Sequence, residues 1–170
     1  MKNDFANAKD LVEHPPKGIV LTLSMTFPDL ADPDSIPGKM DILDREYPGM
    51  FRWMGEVNIA KKALIPNGHV TPTVRTIALW TPFMAILRER KMPLALHMDL
   101  GDNASPTENL ALMEEALRLF PNNKIVWMHM GGLSRELTTI DPARHTALLA
   151  HMLEANPNLS LDLSWRVLQD

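Results

Sequence analysis

Five short segments able to form strands alternate with stretches of helical periodicity, and this alternation constrains the fold more than any other feature. The strand-like segments are residues 18–26, 51–59, 93–99, 124–130 and 159–165. Helical patterns cover 5–13, 39–47 and 74–91, the last with Ile77, Trp80, Met84 and Leu87 on one apolar face. Ser105-Pro106 opens another helix over 108–120, and Asp141-Pro142 opens one over 143–155, which Asn156-Pro157 closes. Strands separated by helices pair in parallel through right-handed crossovers. No linker or low-complexity stretch divides the chain, so residues 1–170 read as a single domain.

Parallel strands connected by helices form either an open doubly wound sheet or part of a barrel, and the strand faces separate the two. A doubly wound sheet is covered by helices on both sides, so its strands are apolar nearly throughout. Here Leu21, Leu23 and Met25 alternate with Thr22, Ser24 and Thr26, and Leu159, Leu161 and Leu163 with Ser160, Asp162 and Ser164. Leu94, Leu96 and Met98 alternate with Ala95, His97 and Asp99. In 51–59, Phe51, Trp53 and Val57 read as the apolar face, and Arg52, Met54, Glu56 and Asn58 as the other. In 124–130, Val126, Met128 and Met130 read as apolar, opposite Ile125, Trp127 and His129. Burying so many polar groups without partners would cost about 1–3 kcal/mol each. A sheet with one face under helices and the other lining a lumen avoids that cost. The expected fold is therefore α/β, of the (β/α) TIM-barrel type. It is incomplete, because a closed barrel needs eight strands and typically ~250 residues. The doubly wound alternative also predicts a glycine-rich phosphate loop after the first strand, where the sequence reads Ser24-Met-Thr-Phe-Pro-Asp29.

Composition narrows the partners. A net charge of −4 gives no basic footprint and argues against nucleic acid. No apolar run approaches the ~18 residues of a membrane span, and the N-terminus has no apolar signal core. With no cysteine there is no disulfide, thiolate ligand or cysteine nucleophile, which agrees with a cytoplasmic location.

Glu56, His97, His129 and Asp162 stand at or near the C-terminal ends of four successive strands, on the polar faces. Barrel active sites form at that end from residues of several strands. Imidazoles and carboxylates converging there suit a divalent metal, zinc first and manganese or iron after it. Such an ion lowers the pKa of bound water from 15.7 to about 7. Ordinary structural roles remain open for each residue. Arg52 shares the face of Glu56 and pairs with it as readily as it binds substrate, and Asp162 fits a polar layer with Ser160 and Ser164. Asp99 could cap its own turn. His14 and His69 fall in proline-flanked loops and read as solvated, and His145 and His151 are too far apart for a helical ligand pair. Gly131-Gly132 fits a tight loop backbone.

The segments Gly55-Glu56-Val-Asn, Pro93-Leu-Ala-Leu-His97-Met-Asp99, Trp127-Met-His129-Met-Gly-Gly and Leu161-Asp162-Leu-Ser-Trp165 resemble the metal-dependent hydrolases of the amidohydrolase superfamily, in particular the amidohydrolase-related branch, from Gly18 onward. The resemblance implies metal ligation by His97 at the end of the fifth family strand. It implies a ligand or catalytic role for His129 at the end of the sixth, and a carboxylate ligand in Glu56. Asp162 then takes a catalytic role, and Asp99, Asn58 and Arg52 contact a small-molecule substrate. The family's His-x-His pair has no counterpart here, and Asp162 falls one strand before the family's final aspartate. The chain thus resembles the third to seventh strands of a barrel. It is expected either to hydrolyse a carbonyl-type bond (or decarboxylate a related substrate) or to be a non-catalytic remnant acting through association or small-molecule binding. In both cases an unclosed sheet leads to the expectation of a homo-oligomer.

Overall fold

The computed structural model describes residues 1–28, 33–133 and 137–164. It contains one sheet of five parallel strands: β1 (Leu23–Met25), β2 (Phe51–Ala60), β3 (Leu94–Met98), β4 (Ile125–Trp127) and β5 (Leu159–Leu161). They lie in the order β1-β2-β3-β4-β5, each beside its sequence neighbour, and the sheet is not closed. A doubly wound sheet reverses its order at a switch point. A sequential order with right-handed crossovers instead stacks every helix on one side, as in a barrel wall.

That side holds the core. Met54, Val57, Leu94, Leu96, Met98, Ile125, Trp127 and Leu159 pack against Met40, Leu43, Phe83, Leu87, Met113, Leu117, Leu149 and Met152 of the helices. The opposite face carries Ser24, Trp53, Ala95, Val126 and Ser160, which line an open concavity of about 770 Å³. Trp53 is 40 % exposed there. The helix Lys2–Glu13 contributes no residue to this concavity. It flanks β1 instead, where the Asp4 carboxylate accepts bonds from Thr26 N (2.7 Å) and Oγ1 (2.9 Å) and Phe5 packs edge-on against Tyr47.

Several sequence expectations shift for identifiable reasons. Residues 18–22 are outside the sheet, with Ile19, Val20 and Leu21 exposed, because β2 begins opposite Leu23 and offers them nothing to pair with. The face assignment in β2 is wrong at its start. Leu23 pairs with Phe51 but Ser24 with Trp53, so the extra residue Arg52 flips the pleat, turning Trp53 outward and Met54 into the core. A second irregularity, between the pairs Met54–Leu94 and Val57–Leu96, flips it back and puts Glu56 on the open side. In β4 the phase is opposite to the expected one: Ile125 and Trp127 are buried and Val126 lines the open face. The indole of Trp127 finds a polar partner in the core, donating from Nε1 to Met98 O at 3.2 Å.

The helix bounds also shift. The stretch 74–91 breaks into Val74–Ile77, a 3₁₀ turn at Ala78–Trp80, and Thr81–Glu89, with Pro82 in the first turn of the last. The helix expected from 108 starts at Leu110, because Asp102 engages Ala104 N and Ser105 N in a turn and Asn109 bonds back to Asp99 O and Leu100 O. The helix Ile36–Glu46 begins three residues earlier than expected and Pro142–Ala155 one earlier, the latter capped by Asp141, which accepts from Ala143 N and Arg144 N. β5 stops at Leu161, and Trp165 lies outside the described residues.

Candidate metal centre

β3 supplies His97 in ordinary strand phase, facing away from Leu94, Leu96 and Met98, and buried to 1 % exposure. β2 brings Glu56 alongside through its second irregularity, and the register pairs Asn58 with His97 on the same face. His129 arrives differently. After Trp127 the chain leaves the strand and turns through left-handed backbone at His129 (φ 57°), Met130 (φ 53°), Gly131 (φ 75°) and Gly132 (φ 73°). This turn, not the pleat, aims the imidazole at the cluster. It also requires its second glycine: a Cβ on Gly132 would stand 1.8 Å from Met98 O, and Gly132 O accepts from Leu100 N.

One ligand atom each from Glu56, His97 and His129 lies within 4.8 Å of the others, and the two imidazoles meet edge-to-face at 4.8 Å. Glu56 Oε1 is 2.6 Å from His97 Nδ1, and Oε2 is 3.4 Å from His129 Nε2. The far side of each ring is buttressed. Asp99 Oδ1 lies 3.1 Å from His97 Nε2, while its Oδ2 accepts from Lys62 N at 2.8 Å. Asp162 Oδ2 lies 3.6 Å from His129 Nδ1 and accepts from His129 N at 3.2 Å and from Ser164 Oγ. Ser164 Oγ is itself 3.3 Å from His129 Nδ1. Asp162 is held by its backbone, donating to Trp127 O and accepting from Met130 N. Asp99 orients the His97 ring through Nε2, and Ser164 Oγ, which donates to Asp162, is the group within hydrogen-bond reach of His129 Nδ1.

Sequence reasoning missed Lys61. Its ammonium, just past the end of β2, donates to Glu56 Oε1 at 3.0 Å and sits 3.4 Å from His97 Nδ1. The signal was a cation directly following a strand that carries a site carboxylate. Burial works against ionised Glu56, but the bonds from His97 and Lys61 outweigh it and hold the carboxyl at about 2. Burial opposes a charged His97, yet the hydrogen bonds to Asp99 and Glu56 raise its pKa above the usual value. Asp162 is held below the usual carboxylate range: burial works against it, and bonds from Ser164 and the His129 backbone prevail.

The other expected site residues fall as follows. Asp99 is buried, with Oδ1 beside His97 Nε2 and Oδ2 accepting from Lys62 N. Asn58 shares the face of His97, and its Oδ1 has no hydrogen-bond partner among the described residues. Arg52 is the second residue of β2, exposed, with its guanidinium near Gly49, and Glu56 pairs with Lys61 instead of with it. His69 is half-buried, with its Nε2 2.8 Å from Ile59 O.

Glu56, His97 and His129, three groups that could hold a metal ion, gather on one side of the sheet, and the amidohydrolase family model matches residues 67–169. The chain belongs to the amidohydrolase family. The matched stretch holds His97, His129 and Asp162 but begins after Glu56 and Lys61, so it is shorter than the similarity expected from Gly18 onward. No match is found among curated proteins or solved structures. Among the described residues no helix is long and apolar enough to cross a membrane.

Proposed function

We propose that this amidohydrolase domain binds one divalent metal ion, zinc by its donor set, through Glu56, His97 and His129, and uses it to hydrolyse a carbonyl-type bond of a small molecule. The observation that carries the reading is the mutual approach of the three donors to within 4.8 Å, with a carboxylate behind each imidazole. Two imidazoles and one carboxylate match zinc sites that keep an open position for chemistry. A divalent ion supplies Lewis acidity, which polarises a carbonyl and makes water nucleophilic at neutral pH. His97 would ligate through Nδ1, since Nε2 faces Asp99, and His129 through Nε2, since Nδ1 faces Asp162 and Ser164. Asp162 acts on His129 through Ser164, whose hydroxyl lies within hydrogen-bond reach of Nδ1 and donates to the Asp162 carboxylate, and is a positioning residue. Lys61, beside Glu56, offers a positive charge for a substrate carboxylate once the ion has taken its place. The cavity of about 770 Å³ beneath Glu56 and Asp162 has room for a small organic substrate. Decarboxylation of a related acid is the same site's alternative chemistry.

Calorimetric titration of chelator-stripped protein with zinc tests the reading. One equivalent bound, and lost in His97→Ala and His129→Ala, supports it; the absence of any zinc binding refutes it. A second reading, a non-catalytic remnant, draws on Lys61, whose ammonium already neutralises the cluster. That reading predicts no zinc binding and unchanged stability on adding the metal.

A further inference from the structure

The run 18–26 carries neither charge nor proline, yet only Leu23–Met25 of it is in the sheet. Val20 is 92 % exposed, with Ile19 and Leu21 exposed on either side of it. Among the described residues no backbone hydrogen bond reaches 19–22, although isoleucine, valine and threonine favour strand backbone. The phase of β1 shows which groups are open. Leu23 N donates to Met50 O at 2.9 Å and so turns toward β2. Backbone groups alternate sides along a strand, so those of Ser24, Thr22 and, in continued phase, Val20 turn to the free edge. That edge ends at Thr26, whose N–H is taken by Asp4. Ser24 also lines the open concavity, so the edge borders the uncovered face of the sheet.

We propose that residues 20–24 pair antiparallel with the same residues of a second copy of this chain, joining two sheets edge to edge across a twofold axis. Such an axis makes β1 meet itself antiparallel, and a run without charge brings no like charges together there. The pairing that uses the free edge sets Thr22 opposite itself and Val20 opposite Ser24, for about six hydrogen bonds. In continued phase Leu21 falls on the side of Leu23 and Met25 and faces Leu23 across the axis, which removes it from water. The other free edge suits this run less well. β5 begins at Leu159, level with Met25 through the pairs with Ile125, Leu94 and Met54. Pro157 just before it has no N–H to offer, so a parallel partner in the sheet's own register leaves 19–22 bare. None of these residues belongs to the metal cluster, and the proposal survives if the metal reading fails.

Sedimentation velocity of the full chain at roughly 50 μM is the first measurement, because so short a contact belongs to the weak class of interfaces. A dimer is expected. Thr22→Pro removes an edge N–H that no group of its own chain accepts among the described residues, and it should be folded by circular dichroism but monomeric. The second measurement reads the register. The chain has no cysteine, so Thr22→Cys introduces a single thiol. Hydrogen-bonded antiparallel partners stand about 5.5 Å apart at Cα, within the span of a disulfide. Mild oxidation should therefore crosslink Thr22→Cys into a covalent dimer, while Lys17→Cys, exposed but outside the paired run, should stay uncrosslinked. If Thr22→Pro does not fold, the crosslink decides. A wild-type monomer, a dimer that survives Thr22→Pro, or equal crosslinking of Thr22→Cys and Lys17→Cys overturns the proposal.

Discussion

Replacing Lys61 with methionine is expected to tighten zinc binding by about 10- to 100-fold. The ammonium donates to Glu56 Oε1 at 3.0 Å and lies 3.4 Å from His97 Nδ1, so it occupies the side of the cluster that a divalent ion must enter. At an effective dielectric of about 20, a full charge pair at that distance attracts by ~5–6 kcal/mol before hydration and side-chain entropy are subtracted. Both side chains keep roughly a quarter of their surface in water, 23 % and 28 %, so most of that attraction is already offset. A charge-assisted hydrogen bond of this kind nets about 1.5–3 kcal/mol. An ion that takes Glu56 as ligand must break it, and each 1.4 kcal/mol is tenfold in affinity. Methionine keeps much of the apolar stem and removes the charge. Calorimetry with chelator-stripped wild-type and Lys61→Met protein reads the effect directly, and the metal-free melting temperature should fall in the variant, because Glu56 loses its partner. A zinc affinity that is unchanged or weaker in Lys61→Met refutes the idea that the ammonium and the ion compete.

In metal-free protein, Glu56 is held at about 2 against 4.5 in an unfolded chain, so it stabilises the fold above pH 4.5 and that contribution, about 3 kcal/mol at most, is lost as pH falls toward 2. His97 has the opposite sign: its raised pKa stabilises below 6.5 and the contribution is lost as pH rises through its folded value, so urea midpoints should peak between the two windows and Glu56→Gln should flatten the acid limb. Gly132→Ala puts a Cβ 1.8 Å from Met98 O and should cost more than about 3 kcal/mol in urea unfolding, with an intact wild-type midpoint as the disproof. The uncovered face around Trp53, Val126 and Ser160 should be closed by a second copy, so sedimentation at micromolar concentration is expected to show a dimer that Trp53→Glu dissociates, and a wild-type monomer would contradict this.

The architecture was legible because each strand carries its periodicity locally, and β3 and β5 show how far that goes. Leu94, Leu96 and Met98 against His97 gives the right face without any knowledge of neighbours. β2 and β4 show where it ends. The flips at Arg52 and at Gly55-Glu56 depend on which residue of the adjacent strand is opposite, and no single-strand pattern contains that. In β4 a spacing of two residues puts Trp127 and His129 on one face of a regular strand. Trp127 points to the core, and His129 reaches the site only because the backbone turns left-handed after it. The Gly131-Gly132 pair was the available sign of that turn. Lys61 escaped because a lysine beyond a strand end resembles any solvated residue until Glu56 and His97 are seen to converge on it.

A sheet whose strands meet only their sequence neighbours behaves as a stack with two ends and a middle. β3 is buried at all five positions and flanked on both sides, whereas β1 and β5 are three residues long and each has a single neighbour among the described strands. Amide hydrogens should therefore exchange in a gradient, slowest at Leu94–Met98 and fastest at both margins, each outer strand fraying without taking its inner neighbour with it. His97 lies at the slow centre, and Asp162 just past the end of a fast margin. Breathing of the outermost strand would loosen the support behind His129 while leaving His97, Asp99 and Glu56 in register.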